Sequence, residues 1–108
     1  METYYIILNY INECYKKGNP IENADSFPLK ELELDELEFN LILQNLFDKD
    51  YIRGIEMVYE GASEVPVIIS ELTATFDGHQ YLSDNKELSK TQKALNFMKL
   101  IKETIPMI

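Results

Sequence analysis

At 108 residues, 45% of them hydrophobic and 27% charged, the chain is sized and composed for one globular domain spanning 1–108, and is too apolar for a disordered segment. Ten basic residues against nineteen acidic ones leave a net charge of −9, concentrated in residues 1–75, where fifteen Asp or Glu face five Lys or Arg. Nucleic-acid affinity comes largely from Lys and Arg displacing phosphate counterions, so this balance weighs against a nucleic-acid ligand.

With Cys14 the only cysteine, no disulfide can form within a monomer. No basic-then-apolar leader pattern is visible, and no apolar run approaches the roughly 20 residues that cross a bilayer. A cytoplasmic protein is the expectation.

Tyr4, Ile7, Leu8, Ile11, Cys14 and Tyr15 recur at steps of three and four, which predicts an amphipathic helix over residues 3–16. Gly18 and Pro20 close it. Ile6 and Tyr10 fall on a second face, so two neighbours are expected around this helix. A short helix within 19–34 is expected next, capped by Asp25 or Ser26 with Pro28 in its first turn and closed by Leu29–Leu34. Glu31 to Leu34 also alternate as a strand would.

Asp35 with Glu38 forms a capping-box pattern ahead of Phe39, Ile42, Leu43, Leu46 and Phe47, one apolar face running to about residue 48. Tyr51–Tyr59 and Val65–Ala74 are rich in β-branched and aromatic residues and flank the turn-like stretch 60–64. They predict a hairpin, with Pro66 marking an edge. Thr75 is expected to cap a short helix holding Phe76, Tyr81 and Leu82. Ser89 with Gln92 suggests the cap of a last helix, 90–104, ended by Pro106.

Helix, short helix, helix, hairpin, helix, helix is the order of an α+β winged helix-turn-helix: a three-helix core, a β-hairpin wing and a C-terminal helical extension. Ala74-Thr75-Phe76-Asp77-Gly78-His79-Gln80-Tyr81-Leu82 looks like the apolar-Thr-x-x-Gly-x-x-Tyr-Leu element that follows the wing in many bacterial winged-helix proteins. Taken with the Asp50-Tyr51-Ile52 step into the hairpin and the Asp84-Asn85 exit, the stretch 35–104 resembles the YjcQ-like family of small bacterial and phage proteins. The resemblance implies a topology and, since the family has no established activity, no chemistry.

In a DNA-reading winged helix the outer face of residues 36–48 would enter the major groove. At roughly 100° per residue, Leu37 and Leu41 lie opposite the core stripe beside Gln44, Asn45 and Asp48, flanked by Glu36, Glu38 and Asn40. Gln and Asn can read adenine, yet no Arg or Lys precedes Lys49 to hold a phosphate, and the hairpin tip carries Glu60 and Glu64. The five residues Leu37, Leu41, Gln44, Asn45 and Asp48 are therefore expected to form a protein-binding patch; the structural alternative has both leucines packed on the N-terminal segment. On the last helix Ala94, Phe97, Met98, Ile101 and Ile105 form a broad apolar arc, expected either to make a homodimer interface or to lie in a groove between the first helix and the hairpin.

No catalytic, metal or cofactor site is expected. His79 with Asp77 and Ser70 lacks the Gly-rich turn of a serine nucleophile, and Cys14 sits on a core stripe where a thiol is inert. Glu31, Glu33, Asp35, Glu36 and Glu38 match no EF-hand, and the four glycines are scattered rather than grouped as a phosphate loop. The expected function is a non-enzymatic protein-interaction module of phage or mobile-element origin, recognising an unidentified protein. The rivals are a DNA-binding transcription regulator, served by Lys86, Lys90, Lys93, Lys99 and Lys102, and an acidic mimic of nucleic acid that blocks a basic nuclease or defence protein.

Overall fold

A helix that is apolar on two stripes must be packed from two sides, and α1 (Glu2–Lys16) is. Ile7, Leu8 and Ile11 are wholly buried, and Ile6 and Tyr10 on the second stripe are buried as well. The Tyr10 ring meets Phe27 and Phe97 edge-on at 5.7 and 5.2 Å, and Phe27 in turn lies 4.5 Å from Phe39. Each such side chain contributes about 1.5–3 kcal/mol by leaving water. Tyr15, assigned to the buried stripe by its spacing, is exposed; the helix ends one residue later, at Lys16. The structure, a computed structural model, describes residues 2–22, 27 and 29–104, with the backbone alone at 31, 98 and 100–104.

The expected short helix is α2 (Leu29–Leu32). The caps foreseen at Asp25 or Ser26 and the first-turn Pro28 lie outside the described residues. α3 (Glu36–Asp48) begins as its sequence requires: Asp35 is extended, and its carboxylate accepts the Glu38 N–H at 2.7 Å. The same terminal geometry ends both helices. Leu34 N–H reaches back to the Leu29 carbonyl past a left-handed Glu33, and Tyr51 N–H reaches the Leu46 carbonyl past a left-handed Asp50.

β1 (Ile52–Glu60) and β2 (Ser63–Ala74) form a two-stranded antiparallel sheet. The strands run closer to the tip than the sequence suggested, leaving a two-residue turn, Gly61-Ala62. Their ladder is continuous from Glu60↔Ser63 to Ile55↔Ile68, then jumps to Arg53↔Thr73. Gly54 alone thus stands opposite Ile69 to Leu72, a wide bulge. A side chain is impossible at Gly54: its φ is +103°, and a Cβ would lie 2.5 Å from the Glu71 carbonyl oxygen. Beyond the bulge Leu72 N–H donates to the Ile21 carbonyl, tying the segment after α1 to β2.

α4 (Phe76–Asp84) follows β2 directly. A 3₁₀ turn over Lys86–Lys90 then leads to α5 (Gln92–Thr104). Here the expected cap is corrected. Ser89 sits inside the 3₁₀ turn with its hydroxyl donating to the Lys86 carbonyl, so α5 is capped two residues later by Thr91, which accepts the Ala94 N–H at 3.2 Å.

One corner joins these parts. Thr75 caps α4 by accepting the Gly78 N–H at 3.0 Å, while its own hydroxyl donates to the Asp50 carbonyl and its backbone N–H to the Tyr51 carbonyl. Gly78 packs on that Tyr51 carbonyl so closely that any Cβ would fall far inside the oxygen's radius. Tyr81, one turn on, stacks on Tyr51 at 5.0 Å, and Leu82 enters the core. The Thr-x-x-Gly-x-x-Tyr-Leu spacing is therefore a lock of α4 onto the α3–β1 corner. In urea unfolding, Gly78→Ala is expected to cost about 2–3 kcal/mol by overpacking and Thr75→Ala about 1–2 kcal/mol by loss of the cap, with His79→Ala within about 0.5 kcal/mol of the parent. Equal stability of the Gly78 and His79 variants would show that the corner is no lock.

Candidate interaction surface

The outer face of α3 is apolar where a solvated helix would be polar. Leu37 is 70% exposed and Leu41 52%, one turn apart, and neither is covered by the N-terminal segment. Asp48 lies further along the same face and is exposed, while Gln44 is half-buried. Asn45 is exposed, but its amide donates to the Tyr4 hydroxyl at 2.7 Å, so it serves to hold α3 against α1. Around the leucines stand the exposed carboxylates of Glu33, Asp35, Glu36 and Glu38. A helix N-terminus ordinarily attracts phosphate through its free N–H groups and dipole. Here the Asp35 carboxylate fills that place, with Glu36 and Glu38 in the first turn. The hairpin continues the same sign: Arg53 is its one cation against Glu56, Glu60, Glu64 and Glu71, all of them exposed.

The arc foreseen on the last helix is used differently. Ala94 and Phe97 are buried at 3% and 5% exposure, Phe97 against Tyr10 of α1, so both belong to the chain's own core and cannot face a second copy. Packing of α5 on α1 and the 3₁₀ turn, rather than in a groove against the hairpin, is what consumes them. The Met98 and Ile101 side chains and Ile105 lie outside the described residues. The face of α5 that remains open carries Leu95, 51% exposed, with exposed Gln92 and Lys99 around it. For Ala94 and Phe97 the expected alternative, packing within the chain, holds, because helix periodicity identifies apolar faces without saying which neighbour takes them.

The model of the YjcQ protein family matches residues 5–104. That span contains the α3 face, the hairpin, the locked corner and α1 from Tyr5 onward, a helix that the motif resemblance had not reached. No curated protein and no solved structure matches the chain.

Ser70, Asp77 and His79 are all exposed, and no side-chain hydrogen bond joins them. Among the described residues no group of His, Cys, Asp or Glu is arranged to hold a metal ion. No helix among them is long and apolar enough to cross a membrane. Cys14 is buried one turn from Tyr10, whose hydroxyl is its hydrogen-bond partner. Burial pushes the thiol from its ordinary 9.0 up to about 11, against the smaller opposing effect of the Tyr10 hydrogen bond. Burial likewise raises Tyr10 well above its ordinary 10.0. Both groups are held neutral by the fold, so the Cys14 contribution to stability is complete below pH 9 and lost as pH rises through about 11, while that of Tyr10 is complete below pH 10 and is lost at still higher pH. The urea midpoint is expected to be unaffected by these groups at neutral pH and to fall above pH 9, and in Cys14→Ala the fall should begin about one unit later, when Tyr10 and Tyr81, both raised by burial, drive it. Iodoacetamide should label Cys14 only in urea; rapid labelling of the folded protein would show the thiol to be accessible.

Proposed function

The chain belongs to the YjcQ family, and we propose that it is a non-enzymatic protein-interaction module on a winged-helix scaffold, with Leu37 and Leu41 at the centre of its binding face. The scaffold reading is supported by the element order and by the Leu72–Ile21 hydrogen bond, which lies where a winged helix adds a third strand to its wing. The observation that carries the functional reading is the α3 outer face itself: two leucines in water, ringed by carboxylates. Apolar at the centre and charged at the rim is the composition of a protein interface, and the wrong composition for a phosphate backbone. A reader of DNA would need cations on α3 and at the hairpin tip, and the chain has neither Lys nor Arg between residues 31 and 48.

Affinity capture from the native host with the parent protein and with the Leu37→Ser/Leu41→Ser variant tests this. The variant alters exposed side chains only and should keep the parent's circular dichroism and melting temperature while losing the proteins retained by the parent. Identical sets of retained proteins would remove this face from consideration. For the rival, mobility shifts on mixed genomic fragments at about 50 mM salt should show no retention, since counterion release is strongest at low salt. A retained complex that dissolves as salt rises would establish a DNA-binding protein instead.

A further inference from the structure

Two of the open faces of the molecule are complements of each other. Residues 31–48 hold six carboxylates and neither Lys nor Arg, whereas residues 86–102 hold five lysines against one glutamate. Each carries exposed apolar side chains amid its charge: Leu37 and Leu41 on α3, Leu95 on α5. Among the described residues the ion pair is Lys16 with Glu13; Glu36, Glu38 and Asp48 on one face and Lys86, Lys90 and Lys99 on the other form none with another described residue. The fold also prevents the faces from meeting inside one molecule. Asn45 of α3 bonds to Tyr4 while Lys93 of α5 bonds to Thr3, at 2.7 and 3.3 Å. Thr3 and Tyr4 are consecutive on α1 and so point about 100° apart, which sets α3 and α5 on different sides of that helix. With Ala94 and Phe97 turned inward, Leu95 and Lys99 look away from α1.

We propose that the α3 face of one copy docks on the α5 face of a second copy, Leu37 and Leu41 against Leu95, with Glu36 and Glu38 toward Lys99 and Lys90. This names an occupant for the surface proposed above and rests on that reading. The contact joins two unlike faces, so it is heterologous, and each added copy leaves one face of each kind open at the ends of the assembly. The net charge of −9 opposes association only weakly at physiological salt, where charges more than about 8 Å apart are largely screened and the local complementarity at the contact dominates. The lysine cluster of residues 86–102 thereby acquires a role that needs no nucleic acid.

Sedimentation equilibrium of the whole chain tests the proposal. At about 50 mM salt the average mass should rise with concentration from tens to hundreds of micromolar, and at about 500 mM it should return to that of the monomer. Leu37→Ser/Leu41→Ser and Leu95→Ser/Lys99→Glu should each be monomeric at low salt, with parental circular dichroism. Mixed in equal amounts they should form a one-to-one dimer, because each supplies the face the other lacks. A parent that is monomeric throughout overturns the proposal, and so does a parent that associates while the mixture does not. Neither result touches capture of a different protein by Leu37 and Leu41, so the two readings fail separately.

Discussion

The Asp50–Tyr51 corner is the constraint on which the rest of the arrangement depends. Two carbonyl groups at the end of α3 receive the Thr75 hydroxyl and N–H, and Gly78 closes over the second of them. Those bonds fix where β2 ends, where α4 begins and how the hairpin leaves α3 in a single place. Asp50 must adopt a left-handed conformation for its carbonyl to face Thr75, an unfavourable state for a residue with a Cβ. It is held there by the helix-ending bonds of α3 on one side and by α4 on the other, so the strain is distributed over elements that would each be looser alone.

From that corner the surface chemistry follows. With Phe39, Ile42, Leu43 and Leu46 turned into the core and Asn45 tied to Tyr4, α3 has no rotational freedom left. Leu37 and Leu41 are consequently held in water rather than left there by disorder. The neighbouring carboxylates would favour, in any protein docking on the proposed face, positive charge over negative.

Much of this was legible in the residues. Asp35, Thr75 and the 3.6-residue stripes of α1 and α3 specify caps and faces through local geometry, which needs no knowledge of neighbours. The motif around Gly78 was visible, but its meaning was not, since the Tyr51 carbonyl that demands glycine is 27 positions away in sequence. Ser89 misled because Ser89 and Gln92 have the spacing of a capping box, whereas the Ser89 hydroxyl donates back to the Lys86 carbonyl inside the 3₁₀ turn and Thr91 makes the cap. The α5 stripe left two readings open for a different reason: apolar spacing marks Ala94 and Phe97 as wanting cover without saying whether α1 or another copy supplies it. The bulge had a signal, an isolated glycine within a strand pattern, yet its width could not be counted from one strand.

That bulge also sets how freely the protruding arm can vary. In an uninterrupted hairpin a slip of one position reverses every side chain from tip to base. Here Gly54 breaks the ladder between Arg53 and Ile55, and the paired positions on either side are counted separately. Lengthening, shortening or recharging the stretch between Ile55 and Ile68 therefore stops at the break and leaves Ile52, Thr73 and Ala74 in place. The hairpin of this chain thus has a tip whose length and charge can be varied apart from its base, with little consequence for the core.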